Sequence, residues 1–247
     1  MLGSLMKNLI YTPLYNILIF FYVFTRDTGI SVILLTLLVR VLLLRSSIKA
    51  ERSRLALQKL QPEIEKIKKQ NKDNKEKQTK ETLGLYQKKG INPFSSCLPT
   101  LIQLPFLIGL FVVFREGLKN GFPLYGSIKS LIGGAAINSQ AFGFLDLTKA
   151  PNQGWLLIFP ILAASLQFLL SKMMMEKGSA VTSSFNAMTF AFSGVTLWFT
   201  LSFPAALSLY WISTTAFAIA QQYLIDKYDI GKSLDKKTKV LKNEQAG

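Results

Sequence analysis

The stretch "ISVILLTLLVRVLLLRSS", residues 30–47, is an apolar run with Arg40 inside it and Arg45 near its end. A helix of about 20 apolar residues spans the hydrocarbon core of a bilayer, which is roughly 30 Å thick. An arginine near the centre of such a helix costs about 2.5–3.5 kcal/mol on insertion scales. The stretch therefore predicts a membrane helix over residues 29–47, in which Arg40 requires water or a polar partner.

The rest of the chain separates apolar from charged segments in the same way. Hydrophobic residues make up 49% of the 247 residues and the mean hydropathy is +0.29, although the formal net charge is +15. The ranges 94–114, 155–171 and 185–225 contain no Asp, Glu, Lys or Arg, whereas basic residues concentrate in 45–89 and 226–247. These features predict an all-α, polytopic membrane protein.

The uncharged ranges predict four further spans. Range 185–225 corresponds to about 60 Å of helix, twice the thickness of the core, so it must turn, and Ser202-Phe203-Pro204 is the natural place. The five predicted spans of the core, residues 28–225, are 29–47, 94–115, 155–171, 185–202 and 205–225.

The segment before the first span, residues 1–27, is apolar but is broken by Pro13 and Asn16. Two placements fit residues 5–25, a helix along the membrane interface or a further span, and we favour an amphipathic interfacial helix. Because no small-residue cleavage site follows the apolar part, we expect this segment to be retained.

Residues 48–89, between the first two spans, are polar and rich in good helix formers. Two apolar stripes at helical spacing flank the polar stretch "KQNKDNKEKQ", and they predict an antiparallel helical hairpin in water. The first stripe consists of Leu57, Leu60, Ile64 and Ile67, and the weaker second one of Thr79, Leu83 and Tyr86.

The distribution of basic residues predicts the orientation of the chain. Under five spans, the hairpin 48–89, the loop with Lys172 and Lys177 and the basic tail 226–247 all lie on one side. The positive-inside rule makes that side cytoplasmic. The N-terminus is then expected outside and the C-terminus in the cytoplasm.

The composition leaves few routes to catalysis or metal binding. The chain has no His and a single Cys, Cys97, and no charged pair or Gly-rich phosphate loop lies in a predicted span. We therefore expect no enzyme activity, no cofactor and no metal. The positive charge fits an anionic membrane surface or a ribosome as well as nucleic acid, so we expect no direct nucleic-acid specificity.

Arg40 has two interpretations. Its side chain could bend to the interface, but Arg45, about 7.5 Å further along the helix, already provides an anchor there. The predicted spans contain no carboxylate to pair with Arg40. Their hydroxyl and amide side chains could serve helix–helix hydrogen bonds or line a hydrated groove, and with an unpaired arginine we favour the groove.

Four stretches resemble, in order, the YidC/Oxa/Alb family of membrane protein insertases, over about residues 8–228. They are "LLVRVLLL", "LQPEIEKIKK", "ETLGLYQKKGINPFSSCLPTLIQLPFLIGLF" and "FPAALSLYWISTTAFAIAQQYLI". The resemblance implies five transmembrane helices with an N-terminal interfacial helix and a cytoplasmic helical hairpin. It also implies a hydrophilic groove that contains Arg40, open to the cytoplasm and to lipid and closed on the outer side.

The resemblance implies an insertase of the bacterial plasma or inner membrane, which moves hydrophobic segments of newly made proteins into the lipid bilayer and assists their folding. It acts alone or with the Sec translocase, and the ribosome is a further expected partner. The expected groove residues are Arg40, Thr36, Gln103, Gln167, Thr196, Trp198, Tyr210, Ser213 and Thr214. The expected substrate-receiving residues of the hairpin are Leu57, Leu60, Pro62, Ile64 and Ile67.

The chain departs from the family after the groove arginine. Many members have a proline there, whereas this chain has Arg45, which predicts a straighter and more positive end of the first span. Two alternative functions account for the residues less well. A small-solute or anion transporter predicts an internal repeat, which the sequence does not show. A basic membrane anchor leaves Arg40 without a role.

Overall fold

The computed structural model describes residues 6–92, 98–117, 121–133, 137–174 and 182–227. These residues are helical apart from one two-stranded antiparallel ribbon and the connections, in agreement with the predicted all-α class. The helices are α1 (Thr12–Thr25), α2 (Thr28–Leu42), α3 (Leu44–Gln70), α4 (Lys75–Lys88), α5 (Leu98–Val112), α6 (Gly126–Ile132), α7 (Ile158–Met174), α8 (Thr182–Ser202) and α9 (Ala205–Lys227), and the strands are β1 (Gln140–Ala141) and β2 (Leu145–Asp146).

Three short segments extend these helices. Single π-helical turns precede α1 and follow α5, and a 3-10 turn, Gly154–Leu157, leads into α7. Three expectations fall outside the described residues: the start of the second span at 94–97, the loop around Lys177, and the tail from residue 228 onward.

The first predicted span ends at Leu42 rather than near Ser47. The axis bends by 61° between α2 and the first part of α3, so the expected straighter end of this span is wrong. Beyond Leu43 the sequence becomes polar, and α3 turns away from the bundle. A hydrogen bond of 2.9 Å from the Gln221 amide to Ser47 Oγ holds the start of α3 against α9.

Among the described residues, two helical segments are long and apolar enough to cross a membrane. They are Lys7–Thr25 and Gly154–Met174, and the bent pair α2–α3 makes a third if it counts as one span. Phe190–Ser202 is apolar but shorter. In α9, Ser, Thr, Gln and Tyr side chains lower the hydropathy. The count of five spans therefore stays a prediction.

The predicted interfacial helix is packed onto the bundle. The residues of α1 that face α2 and α6 are buried, including Leu14, Leu18 and Ile19. On the opposite side, Phe20 and Phe24 are exposed. The helix is thus apolar on both sides, which suits contact with lipid on its outer face. Whether it lies along the interface stays a prediction.

Residues 137–149, which we call the cap segment, close one end of the bundle. Ala141, Leu145 and Leu147 are buried in the main apolar core. Asp27, the N-cap of α2, accepts a hydrogen bond from the Phe142 backbone N–H at 2.6 Å. These contacts fix the cap segment over the start of α2.

Substitution of Gly29 by alanine is expected to loosen this closure. A Cβ at Gly29 would lie 2.5 Å from Ala141 Cβ, which cannot rotate away. We expect Gly29→Ala to lower the free energy of unfolding by about 1–2 kcal/mol, the usual cost of overpacking. Thermal unfolding of the purified protein in one detergent measures it.

Gly84→Ala provides the matched control. Gly84 lies in α4 with no atom within 4 Å of the added Cβ, so the better helix propensity of alanine should raise stability by up to about 1 kcal/mol. Equal shifts of the two variants in the same direction would contradict the proposed close contact at Gly29.

Helices α3 and α4 form an antiparallel pair joined by a turn over 71–74. Gln78 donates to the Asn71 carbonyl at 2.6 Å, and Lys89 pairs with Glu63 at 3.3 Å. Of the expected substrate-receiving residues, Leu60 and Ile64 are buried, Leu57 and Ile67 are half-buried and Pro62 is exposed.

An ion pair anchors the base of this hairpin. Arg54 bonds Glu51 through both Nε and Nη2, and the two side chains are largely buried. The Nη1 group of Arg54 also donates to the backbone carbonyl of Met174 at 2.9 Å, at the C-terminal end of α7. The start of α3 is therefore tied to that end of α7.

Candidate functional site

Arg40 lies on α2, three residues before the bend at Leu43. It is 12 residues from Thr28, so about 18 Å of helical rise separates it from the start of α2. Its guanidinium donates through Nε–H to the Thr214 hydroxyl on α9. The guanidinium carries five N–H donors, and no other bond from it to a described residue is present.

A second polar contact lies beside the first. The Gln103 amide on α5 donates to the Tyr210 hydroxyl on α9. Tyr210 is buried and precedes Thr214 by one helical turn, so both acceptors lie on the same face of α9. Side chains from α2, α5 and α9 thus meet around Arg40. We call Arg40, Gln103, Tyr210 and Thr214 the arginine cluster.

Helices α2 and α9 run parallel beside each other, and a regular spacing links them. The Arg40–Thr214 and Ser47–Gln221 bonds both join residues 174 positions apart. Seven residues separate the two pairs on each chain segment. Thr214 and Gln221 lie two helical turns apart on α9, whereas the bend at Leu43 lies between Arg40 on α2 and Ser47 on α3. A line of polar contacts therefore leads from Arg40 toward the base of the hairpin.

The electrostatics of the cluster are those of an unpaired positive charge. No described carboxylate lies within salt-bridge distance of Arg40, and the ion pairs of the described residues lie at the bundle ends and in the hairpin. An arginine in this setting requires water or polar atoms around its remaining donors. The arrangement can bind an anionic group, and it contains no nucleophile with an adjacent base.

Three further expected groove residues are satisfied by their own helices. Each hydroxyl donates to the carbonyl four residues earlier: Thr36 to Val32 at 2.7 Å, Thr196 to Phe192 at 2.9 Å, and Ser213 to Leu209 at 2.8 Å. These bonds leave the hydroxyl oxygens free to accept. They do not by themselves connect the three residues to the arginine cluster.

Gln167 has a different partner from the arginine cluster. Its side-chain oxygen lies 3.4 Å from the indole nitrogen of Trp211, which neighbours Tyr210 on α9. Trp211 also contacts Phe199, with ring centroids 5.6 Å apart. Trp211 is not among the expected groove residues, although the sequence places it next to Tyr210 in a charge-free range.

The structure does not bring Trp198 to the cluster. Its side chain is 65% exposed, whereas Ser193, Thr196 and Thr200 are buried on the other side of α8. Among the described residues, Ser193 Oγ is the buried side-chain atom without a hydrogen-bond partner. The packed face of α8 is therefore the hydroxyl-bearing one, and Trp198 faces away from it.

Ser47 and Gln221 are two further functional candidates, and neither is among the groove residues expected from the sequence. Each is an ordinary polar residue near the end of an apolar run. In the sequence, Ser47 follows Arg40 by seven residues, and Gln221 follows Thr214 by seven. This equal spacing indicates a second contact only when α2 and α9 are known to run parallel. Within the described residues, no group of three His, Cys, Asp or Glu side chains could hold a metal ion.

These helices and the arginine cluster define a helical membrane protein with a polar site inside an apolar bundle. The chain belongs to the 60Kd inner membrane protein family, whose model matches residues 20–232. This assignment confirms the resemblance found in the sequence.

Named relatives support the assignment. The chain is 36% identical over 233 residues to the membrane protein insertase MisCA of Bacillus subtilis (strain 168), which covers 92% of this chain and 81% of the relative. It is 31% identical over 222 residues to the membrane protein insertase YidC of Fusobacterium nucleatum, covering 87% of this chain and 97% of the relative. The YidC of Rickettsia bellii is 32% identical over 220 residues, which are 38% of its length.

A solved structure shares the fold. The crystal structure described as an active YidC insertase with the first transmembrane domain resolved matches with a TM-score of 0.59 and 26% identity. The match covers 86% of this chain and 46% of that chain, so this chain spans about half the length of the solved protein.

Proposed function

We propose that this chain is a membrane protein insertase, which moves hydrophobic segments of newly made proteins from the cytoplasm into the bilayer. Family membership and the names of the relatives support this function. The observation that carries the mechanism is the Arg40 guanidinium, held by Thr214 inside the bundle with no described carboxylate beside it. No covalent step is proposed, and the chain is not proposed to be an enzyme.

The physical task of an insertase is to lower the cost of moving a polar tail through hydrocarbon. A charged residue at the bilayer centre costs several kcal/mol or more. A hydrated groove around the arginine cluster shortens the apolar distance, and Arg40 attracts an acidic group of the tail. Burial of the apolar segment of the substrate in lipid then drives its release from the groove.

The groove is proposed to have a polar centre and a less polar wall. The arginine cluster forms the centre, because its members come from three helices and bond one another. Thr36, Thr196 and Ser213 contribute hydroxyl oxygens, and Gln167 with Trp211 continues the wall along α7 and α9. Trp198 is left out of the proposed groove because of its exposed position on α8.

The finer arrangement in the membrane follows the distribution of charge. We propose five spans, with the N-terminal helix at the interface and outside, and the hairpin and C-terminus in the cytoplasm. The hairpin is proposed to receive substrates through Leu57, Pro62 and Ile67, which are at least partly exposed. Contact with Leu60 and Ile64, which are buried, requires the two hairpin helices to separate. Newly made membrane proteins, the ribosome and the Sec translocase are the proposed partners, in a bacterial inner membrane.

Thr214→Val is expected to lower insertion activity about threefold. The substitution keeps the shape of the side chain but removes the acceptor of the Arg40 Nε–H. A hydrogen bond to a charged group is worth about 1.5–3 kcal/mol net, and because the guanidinium keeps its charge and can bond water instead, we expect less than the full loss. Insertion of a single-span substrate with an acidic tail measures it. Thr214→Ser retains the hydroxyl and should retain activity, and equal losses in the two variants would contradict a role for the hydrogen bond.

Reconstitution tests the proposed function directly. Purified protein in liposomes should increase the fraction of a short single-span substrate whose translocated tail is protected from added protease. Empty liposomes, and liposomes with an unrelated membrane protein at the same density, are the controls. Insertion no faster than in these controls would overturn the proposal.

A further inference from the structure

We propose that three aromatic side chains at the cap end of the bundle, Phe142, Phe144 and Trp155, bind the phospholipid leaflet on that side. We call them the aromatic patch. It occupies the boundary between the lipid headgroups and the acyl chains. This inference requires only that the chain lies in a membrane and does not depend on the insertase function.

The patch is continuous and exposed. The ring centroids of Phe142 and Phe144 are 6.0 Å apart, and those of Phe144 and Trp155 are 5.1 Å apart. The three side chains are 39%, 53% and 61% exposed, respectively. Large apolar side chains clustered on a surface indicate an interaction site rather than ordinary scatter.

The position of Trp155 sets the depth of the patch. Trp155 lies in the 3-10 turn at the start of Gly154–Met174, a segment long and apolar enough to cross a membrane. The other end of that segment, Met174, is bonded to Arg54 at the base of the basic hairpin. Trp155 is therefore at the opposite membrane boundary from the hairpin, where Trp and Tyr are enriched in membrane proteins.

The apolar surface continues from the patch onto α7. Ile158 and Ile161 follow Trp155 on this helix and are also exposed, so the patch joins the face that α7 presents outside the bundle. Elsewhere on the cap segment, Lys149 is 80% exposed and pairs with Asp146 at 3.1 Å. An aromatic surface beside a charged one matches the change from acyl chains to headgroups across the boundary.

The backbone of Phe142 gives independent support. Phe142 has φ = 55° and Gly143 has φ = 78°, and the Phe144 N–H donates to the Ala141 carbonyl at 3.1 Å. This is a turn in which both central residues are left-handed, a conformation that favours Asn, Asp or Gly. Phenylalanine is unfavourable at this position of the turn. The tip of its ring lies beside Gly29 at the start of α2, and 39% of the side chain remains exposed for contact with lipid.

Spin labelling tests the inference in reconstituted bilayers of zwitterionic and anionic phospholipid. Phe144→Cys, combined with Cys97→Ser to remove the only native cysteine, carries a nitroxide whose collisions with oxygen and with a water-soluble nickel chelate are compared. Oxygen concentrates in the acyl region and the chelate in water. We expect oxygen collisions to exceed chelate collisions at position 144, with a depth close to the headgroup boundary.

Two labelled control sites calibrate the measurement. Lys149→Cys, on the same cap segment, should report water, and Phe168→Cys, on the exposed face of α7, should report the acyl region. A chelate-dominated signal at position 144, like that expected at 149, would overturn the proposal. Low collision rates with both reagents would overturn it as well, because they would show that another protein or a second copy covers the patch.

A second variant keeps the test independent of folding. Phe142→Asn supplies a residue that suits the left-handed turn, so the cap segment should stay folded. Added to the labelled Phe144→Cys protein, it removes one ring of the patch and should increase the collisions of the label with the chelate. An unchanged depth would overturn the assignment of Phe142 to the lipid-binding surface.

Discussion

Arg40→Ala is expected to lower the insertion of a substrate with an acidic translocated tail by about tenfold to a hundredfold. A hydrogen bond to a charged group is worth about 1.5–3 kcal/mol, and the variant removes both the charge and its donors. The site offers no second cation among the described residues of α2, α5 and α9 close to Arg40. Protease protection of the substrate in liposomes measures the effect.

Two further variants separate charge from geometry. Arg40→Lys keeps the charge and should retain much of the activity if attraction alone matters. Arg45→Ala removes a positive charge from the exposed start of α3 and should have little effect. An equal loss in Arg40→Ala and Arg45→Ala, or an equal loss for acidic and neutral tails, would contradict a specific role for Arg40.

Glu51→Ala is expected to detach the base of the hairpin from α7. Removal of one partner from a buried ion pair costs several kcal/mol, because the other charge remains without compensation, and the slight exposure of this pair reduces the expected loss to about 2–3 kcal/mol. Hydrogen exchange of backbone amides over residues 44–57, in the same detergent for both proteins, should rise in the variant.

The double variant Glu51→Ala with Arg54→Ala is the control for this interpretation. It removes both charges and should recover part of the stability lost in the single variant, because no uncompensated charge remains. The exposed pair of Lys89 and Glu63 offers a second comparison, since Glu63→Ala should change stability by less than about 1 kcal/mol. Equal effects at Glu51 and Glu63 would contradict a special role for the buried pair.

The long apolar helices could be predicted from the sequence because each lies mostly in a long apolar range without charged residues. Helices α7 and α9 lie largely within the ranges 155–171 and 205–225, and the turn between α8 and α9 lies at the expected Ser202-Phe203-Pro204, while the use of α9 as a span stays a prediction. The bend after Leu42 could not be predicted, because no Pro or Gly marks it. Tertiary contacts, such as Gln221 with Ser47, hold it instead.

Of the candidate site, Arg40 could be predicted from the sequence, whereas the residues around it could be predicted only in part. Arg40 stands out because a charge in an apolar run has a high cost. The sequence could not decide which hydroxyl and amide side chains face it. In α8, Ser193, Thr196 and Thr200 recur at helical spacing on one face, but the sequence does not show which helix packs against that face. Trp198 is an example. It was an expected groove residue, but it lies on the exposed face of α8.

The short distance between Arg40 and the start of α2 has a consequence for the membrane voltage. One elementary charge that crosses a membrane potential of 100 mV gains or loses about 2.3 kcal/mol of free energy, whatever its path. If water reaches Arg40 from the hairpin side, the voltage falls over about 18 Å rather than about 30 Å, so the local field is about 1.7 times steeper. With the cytoplasm negative, the outward force on an acidic tail is then greatest between Arg40 and the cap segment.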